Sequence, residues 1–267
     1  MILTVQGAPA YAYTGGKPFD ASLPTVVFIH GAQNDHSVWG LQSRYLAHHG
    51  YGVLAVDLPG HGRSKGAALR SVEAMADWLL EVLASAGVAK AALVGHSMGS
   101  LIALETAHKA PERVTKLALL GSTFPMKVSD ALLNTSRDNE QAAIDMVNIF
   151  SHSTMAHKPS CPGPGFSVMG GARRLMQRMS QINPEQLFYT DFYACNAYAN
   201  GDAAAKSVSC PALFVFGAKD VMTSPKSAKG LLAAIPHAKT VTVDAGHSMM
   251  QEQPDGVLEA LAGFLAS

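Results

Sequence analysis

The 267-residue chain has few cysteines, no excess of either charge and no long hydrophobic run. Its three cysteines, Cys161, Cys195 and Cys210, are odd in number and lack C-x-x-C spacing, so neither a disulfide framework nor a zinc site is expected. Basic and acidic residues number 20 each, which disfavours a nucleic-acid partner. Because no run reaches about 18 apolar residues and the first residues carry no signal-peptide pattern, we expect no membrane span and a cytoplasmic protein.

The chain is rich in apolar residues. Apolar residues make up 48% of the chain and charged residues 15%, which excludes an intrinsically disordered protein. The length fits one large domain, or one domain that carries an insertion. The histidines show no metal-ligand spacing, so we expect neither a metal nor another cofactor. The pattern indicates no particular oligomeric state.

Short apolar runs alternate with helical patterns along most of the chain. Thr25–Ile29 is typical of a strand buried on both faces, because its positions are apolar or β-branched. Similar runs cover 52–57, 91–94, 114–120, 211–216 and 240–243, and short edge strands are expected within residues 1–15. Helical spacing follows at 37–49, 71–87, 98–110, 224–235 and 254–265. This alternation predicts an α/β fold whose parallel sheet is covered by helices on both faces, with the strand carboxyl ends along one edge.

The alternation stops between residues 122 and 206, where helical patterns occur without a β run. Helices are predicted over 142–150 and 171–182, and Asn183 followed by Pro184 is typical of the start of a third. We interpret 122–206 as a helical cap inserted into a core domain of residues 1–121 and 207–267.

The segment Gly95-His96-Ser97-Met98-Gly99 has the pattern G-x-S-x-G and lies between a predicted strand and a predicted helix. The pattern alone arises often by chance, and a glycine-flanked turn with an ordinary serine would also explain it. Its position between strand and helix favours a nucleophile elbow, a turn too sharp for side chains at its flanks. A serine placed there lies at a helix N-terminus, where free N–H groups and the helix dipole favour an anion.

Asp220 and His247 follow later predicted strands, so the fold would bring both to the sheet edge that carries Ser97. A serine hydroxyl needs a base within hydrogen-bond reach, and neutral histidine suits that role. A carboxylate is then needed to hold the imidazole tautomer. Asp244 is a competing acid, but it lies at the end of the strand that precedes His247 itself. We therefore predict Ser97, Asp220 and His247 as the catalytic residues.

With these landmarks the sequence resembles the α/β-hydrolase fold family over nearly the whole chain outside 122–206. Further matching motifs are His30-Gly31, the turn Asp-Leu-Pro-Gly-His-Gly-Arg-Ser at 57–64, Gly217–Asp220 and Gly246-His247. The resemblance implies a mostly parallel eight-stranded sheet and the chain order Ser, Asp, His for the triad. It also implies an oxyanion hole made by the backbone N–H groups of Ala32 and Met98.

Five residues are candidates for the substrate pocket: Gln33 and Asn34 in the loop after His30-Gly31, and Met176, Phe188 and Phe192 in the predicted cap. Other residues that make the cap apolar include Met155, Phe166, Met169, Leu175 and Met179. Helical spacing leaves open whether such residues form the cap's own core or line a pocket. It also leaves open whether Arg173 and Arg174 meet a substrate carboxylate or face solvent.

The resemblance implies hydrolysis of carboxylic esters through an acyl-enzyme, with a small-molecule ester as the partner. Esters of small to medium size are expected, because the apolar cap should close over the pocket. A carbon–carbon hydrolase of ring-cleavage products is disfavoured, because Ala32-Gln33-Asn34-Asp35 replaces a glycine-rich loop and Ser248 replaces a tryptophan after the base. Lactonases and cofactor-free perhydrolases share the triad and stay open as alternatives. A ligand receptor on the same scaffold is an alternative of another class, and it would turn over an activated ester very slowly.

Overall fold

The computed structural model describes residues 1–153 and 167–267, and these contain eight strands. They are β1 (Ile2–Val5), β2 (Ala8–Tyr13), β3 (Thr25–Ile29), β4 (Gly52–Val56), β5 (Ala91–His96), β6 (Val114–Leu120), β7 (Ala212–Gly217) and β8 (Lys239–Val243). The sheet order is β1-β2-β4-β3-β5-β6-β7-β8. β1 pairs antiparallel with β2, β2 pairs antiparallel with β4, and the remaining neighbours are parallel. The predicted α/β fold with a mostly parallel eight-stranded sheet is confirmed.

Helices follow the strands in the described ranges. They are α1 (Gly40–Ala47), α2 (Val72–Ser85), α3 (Met98–Lys109), α4 (Asp130–Asp138), α5 (Glu140–Phe150), α6 (Val168–Ile182), α7 (Leu187–Ala197), α8 (Gly201–Lys206), α9 (Lys229–Ala234), α10 (Met249–Glu252) and α11 (Pro254–Ala266). Ser71 caps α2 by accepting a hydrogen bond from the Ala74 N–H, and Pro254 opens α11, both as the sequence predicts. No helix in these ranges has the length and apolar character needed to cross a membrane.

Alternate residues of the central strand β3 serve two separate cores. Val27 and Ile29 pack with α2 and α3, while Val26 and Phe28 pack with α1 and α11 on the opposite face. Successive side chains of a strand point to opposite faces, so a strand covered on both sides needs apolar residues throughout. The run of β-branched residues in β3 is thus explained by the helices that cover both of its faces.

Within its described residues, the segment between β6 and β7 carries five of the helices, α4 to α8. Residues of α5, α6 and α7 form a third apolar cluster that also contacts Ala32 of the core: Ala143, Ile144, Val147, Met176, Phe188 and Phe192. α8 instead contributes Ala204 and Ala205 to the core cluster of α2 and α3. The helical segment therefore lies over the sheet edge where Ser97 is found, and its last helix packs on the core.

One local prediction within this segment is wrong, and one helix of the segment was not predicted. Asn183 does not begin the third helix; it ends α6, and its Oδ1 accepts from the Glu185 N–H in the turn that follows. α7 begins at Leu187 after Gln186, which has a left-handed φ of 55°. α4 was not predicted because six of its nine residues are polar, and only Leu132 and Leu133 pack against the third apolar cluster.

Candidate active site

Ser97 lies in a sharp turn between β5 and α3. Its φ of 54° and ψ of −120° are unusual for a residue with a side chain, and its backbone N–H donates to the Leu120 carbonyl of β6 at 2.9 Å. Backbone strain of this kind persists only where the surrounding structure imposes it, and it occurs often at active sites. The turn projects a half-buried serine at the N-terminus of α3, as the elbow interpretation requires.

Gly95 is needed because the backbone folds back upon itself at this turn. A Cβ at Gly95 would overlap the carbonyl of Gly99 and lie 2.7 Å from the backbone nitrogen of Ser100. Since backbone atoms on both sides are fixed by the sheet and the helix, we expect Gly95→Ala to lower the free energy of unfolding by about 3 kcal/mol. Urea denaturation measures this loss.

The matched control for that substitution is Gly263→Ala in α11, where an added Cβ meets nothing within 4 Å. Alanine in an open helix position stabilises by about 0.5–1 kcal/mol relative to glycine. Equal effects of the two substitutions would contradict the steric explanation of Gly95.

His247 and Asp220 form a buried hydrogen-bonded pair beside this turn. The distance from His247 Nδ1 to Asp220 Oδ2 is 2.8 Å. Thr223 Oγ1 donates to the same carboxylate oxygen at 2.8 Å, and the N–H groups of Met222 and Thr223 donate to Asp220 Oδ1 at 2.8 Å each. Burial acts to raise the pKa of Asp220, but the attraction and hydrogen bond of His247 and the donors of Thr223 outweigh it and hold that pKa well below its usual range.

Asp244, the competing acid, faces elsewhere. It is exposed, and its Oδ1 lies 2.7 Å from the Lys219 ammonium. The structure thus brings Asp220, rather than Asp244, to His247.

His30 orients the peptide that precedes Ala32. Its Nε2 accepts from the Leu58 N–H at 3.2 Å, so its Nδ1 carries the proton and donates to the Gly31 carbonyl at 2.8 Å. In a trans peptide the N–H points away from the C=O, so this bond sets the direction of the Ala32 N–H. Burial, and then the charge of His61, lowers the pKa of His30, which favours the neutral form that this arrangement needs.

The loop of Gly31 and Ala32 lies against the serine turn. A Cβ added to Gly31 would come within 3.2 Å of Ser97 Cβ. Met98, whose N–H is the second predicted oxyanion donor, opens α3 directly after Ser97. The two predicted donor residues therefore flank Ser97, one from the loop after β3 and one from the helix N-terminus.

His96 packs beneath the turn. Its Nε2 donates to the carbonyl of His247 at 2.9 Å, which ties the elbow to the histidine loop. Burial, followed by the charge of His247, lowers the pKa of His96 to about 3. His96 is therefore a neutral structural residue at physiological pH.

Two cavities meet at Ser97 and His247. The large cavity has a volume of about 240 Å³ and the small cavity about 50 Å³. Both are lined by Ala32, Ser97, Val147, Phe192, Met222 and His247. The large cavity is otherwise lined by Met126, Lys127, Val128, Ser129, Leu132, Phe150, Cys195, Val221 and Thr223. The small cavity adds Asn34, Met176, Phe188 and more polar groups, among them Ser151, Ser248 and Gln251.

A model of the Alpha/beta hydrolase family matches residues 26–260, which include Ser97, Asp220 and His247. The chain belongs to the alpha/beta hydrolase family. It is 26% identical to a putative esterase/lipase of Haemophilus influenzae, covering 91% of this chain and 83% of that one. It is 28% identical to a pimeloyl-(acyl-carrier protein) methyl ester esterase of Nitrosomonas europaea, covering 87% and 92%. The fold superposes on an enol-lactonase from Burkholderia xenovorans with a TM-score of 0.85, at 22% identity over the whole of both chains.

Four of the five predicted pocket residues line these cavities of the alpha/beta hydrolase: Asn34, Met176 and Phe188 the small one, and Phe192 both. Met176, Phe188 and Phe192 also belong to the third apolar cluster, so the same side chains form a core and a cavity wall. Val147 and Met222 were not predicted. Val147 lies within the predicted helix 142–150 and could have been found from its apolar face, whereas no pattern marks Met222.

Gln33, a candidate for the pocket that could instead hydrogen-bond within its loop, does not line either of these two cavities. Its side-chain amide donates to the Met176 carbonyl at 3.1 Å, to Ser180 Oγ at 2.8 Å and to Glu140 Oε1 at 3.2 Å. Gln33 has a left-handed φ of 56°, and its side chain reaches α5 and α6. Gln33 therefore joins the loop after β3 to the helical segment.

The question left open for the two arginines is answered by their surroundings. Arg173 Nε lies 2.7 Å from Asp145 Oδ1 in a half-exposed ion pair, and Arg174 is exposed. Neither lines the two cavities. Met155, Cys161 and Phe166 lie outside the described residues.

Asp35, His36 and Asp57 are brought within 4.8 Å of one another, although their spacing in the sequence suggests no metal site. His36 donates to Asp57 Oδ1 from both its backbone N–H and its Nδ1, each at 2.8 Å, and the Arg63 N–H donates to Asp57 Oδ2. Both carboxylate oxygens of Asp57 therefore accept hydrogen bonds from neighbouring residues, and these bonds stabilise the turn at 57–64.

Proposed function

We propose that the chain is a serine hydrolase that cleaves carboxylic esters of small to medium size through an acyl-enzyme. The observation that carries the proposal is the 2.8 Å hydrogen bond between His247 Nδ1 and Asp220 Oδ2. His247 and Ser97 both line the two cavities. Membership of the alpha/beta hydrolase family and the two relatives named as esterases support it.

The proton positions follow from the acceptors around His247. Asp220 Oδ2 accepts from His247 Nδ1, so the lone pair of the imidazole is on Nε2. In the proposed reaction Nε2 takes the Ser97 proton as Oγ attacks the ester carbonyl, and the bond to the alkoxide breaks as His247 returns the proton to it. Water then attacks the acyl-Ser97 ester with His247 again as base, which releases the carboxylic acid and restores Ser97.

The charge that develops on the carbonyl oxygen is proposed to rest on the N–H groups of Ala32 and Met98. Each donor of this kind contributes roughly 2.7–4 kcal/mol to the transition state. The bond from His30 to the Gly31 carbonyl supports this role, because it fixes the Ala32 N–H before substrate arrives.

Residues 122–206 are proposed to act as a cap that shapes the acyl and alcohol sites. Val147 of α5, Met176 of α6 and Phe192 of α7 contribute to the cavity walls, and these apolar walls exclude water from the ester bond. The volume of about 240 Å³ suits a short or medium chain rather than a long one.

A panel of p-nitrophenyl esters from acetate to laurate, extended with lactones and ring-cleavage dienones, tests the substrate class. We expect the highest kcat/KM for short and medium acyl chains, and a fluorophosphonate should modify the peptide that contains Ser97. Higher kcat/KM on lactones or dienones would replace the ester assignment. An acylation burst followed by almost no turnover would favour a ligand receptor.

A further inference from the structure

Asp191 is a buried acid of α7 that contacts the oxyanion loop. Its side chain is 0% exposed, and its Oδ2 accepts from the Gln33 N–H at 2.8 Å. The same oxygen lies 2.9 Å from His61 Nε2 in the turn after β4. One carboxylate oxygen thus joins three separate parts of the chain: α7, the loop after β3 and the turn at 57–64.

His61 balances the charge of Asp191. Its Nδ1 lies 3.1 Å from the Pro59 carbonyl, so both ring nitrogens face groups that only accept, and the ring must carry both protons. His61 is 1% exposed, and burial alone would lower its pKa, but the attraction of Asp191 outweighs burial and raises it. A buried charge without its partner is costly, so each member of the pair requires the other.

The bond from Asp191 is made where the loop is strained. Gln33 directly follows Ala32 and has a left-handed φ of 56°, which a residue with a side chain keeps only when its surroundings hold it. The peptide between Ala32 and Gln33 is held at both atoms, since its N–H donates to Asp191 and its carbonyl accepts from Asn34 Nδ2 at 3.0 Å. His30 holds the preceding peptide. Ala32 therefore lies between two fixed peptides.

We infer that Asp191, paired with His61, is a positioning residue that fixes the oxyanion loop through the Gln33 N–H. The inference rests on the proposed function, because it concerns the donor that the Ala32 N–H supplies to the reaction. It assigns to the helical segment a part in building the oxyanion hole, in addition to lining the cavities.

Asp191→Asn tests the inference, with Asp145→Asn as the matched control. Asp145 is an acid of the same helical segment, but its pair with Arg173 is half exposed. For Asp191→Asn we expect kcat to fall about 10- to 100-fold with KM within about threefold, because the loss of the Asp191 charge leaves the charge of His61 unpaired and disturbs the loop. The Ala32 N–H that this loop holds acts on transition-state charge rather than on ground-state binding. Asp145→Asn should keep both constants within about twofold.

A second readout separates positioning from general damage. A trifluoromethyl ketone that forms a hemiketal with Ser97 needs the oxyanion donors, whereas the alcohol product does not. Asp191→Asn should lower the affinity for the ketone by the same factor as kcat/KM, and should leave the affinity for the product unchanged. Equal weakening of both ligands, or an unchanged kcat, would overturn the inference. A wild-type protein that neither binds the ketone nor cleaves esters would instead refute the proposed function.

The double variant D191N/H61Q covers the case in which the single variant does not fold. It replaces the two charges together by amides that can make the same two hydrogen bonds, so no unpaired charge stays buried. We expect it to fold and to recover kcat to within about tenfold of wild type. A folded double variant with less activity than a folded single variant would contradict the pairing.

Discussion

Replacing Ser97 with alanine is expected to reduce kcat for a p-nitrophenyl ester by about 10⁴-fold or more. The acyl-enzyme requires an oxygen nucleophile at this position, and removal of such a serine leaves only the rate supplied by substrate binding and the oxyanion hole. The fold should persist, because Ser97 makes no side-chain hydrogen bond that caps α3. Initial rates at saturating ester, with circular dichroism for the fold, provide the measurement.

Ser248→Ala is the matched control, since Ser248 lines the small cavity and loses the same hydroxyl. Its kcat should stay within about tenfold of wild type, because the proposed mechanism gives this hydroxyl no bond to make or break. If Ser97→Ala kept a tenth of the wild-type rate while a fluorophosphonate no longer labelled it, the acyl-enzyme proposal would be wrong.

For Asp220→Asn we expect a loss of about 10⁴-fold in kcat at neutral pH. The N–H groups of Met222 and Thr223 both donate to Oδ1, so the amide oxygen of asparagine must occupy that side. Its NH₂ group then faces His247 Nδ1, which must become an acceptor and move its proton to Nε2. In this tautomer His247 presents a proton, rather than a lone pair, towards Ser97. Rates at pH 7 and the tautomer seen by ¹⁵N NMR check the expectation together.

Asp244→Asn is the control for that substitution, because it removes an acid near His247 in sequence but remote from it in contact. Asp244 is exposed and pairs with Lys219, so screening by water makes its loss small. An equal loss from both aspartates would indicate a general electrostatic effect rather than control of the tautomer.

The residues predicted best are those whose role follows from local chain pattern. β3 and β6 have the predicted bounds, and β4 and β5 lie within two residues of theirs. For β3, β4 and β5 the reason is that a strand buried on both faces needs a run of apolar residues. Asp220 could be placed beside His247 for a related reason: parallel strands bring their carboxyl ends to one edge.

The contacts that the sequence did not predict are made between residues far apart in the chain. Gln33 bonds to Met176 and Ser180, more than 140 residues away, and no local pattern records that contact. Asn183 shows the same limit, since its sequence suits the start of a helix and its neighbours make it the end of one. The pairing of His61 with Asp191 likewise exists only once α7 packs on the turn after β4.

The two cavities that meet at Ser97 differ in volume, so the proposed reaction should depend on which part of the ester is the larger. An ester has two arms, and the attacked carbon belongs to only one of them. The large cavity has a volume of about 240 Å³ and the small cavity about 50 Å³. An ester with one large and one small arm therefore fits better in the orientation that places its large arm in the large cavity. Two isomeric esters, one with a bulky acid and the other with a bulky alcohol, should therefore be cleaved at different rates. The hydrophobicity of a substrate alone will not predict its rate.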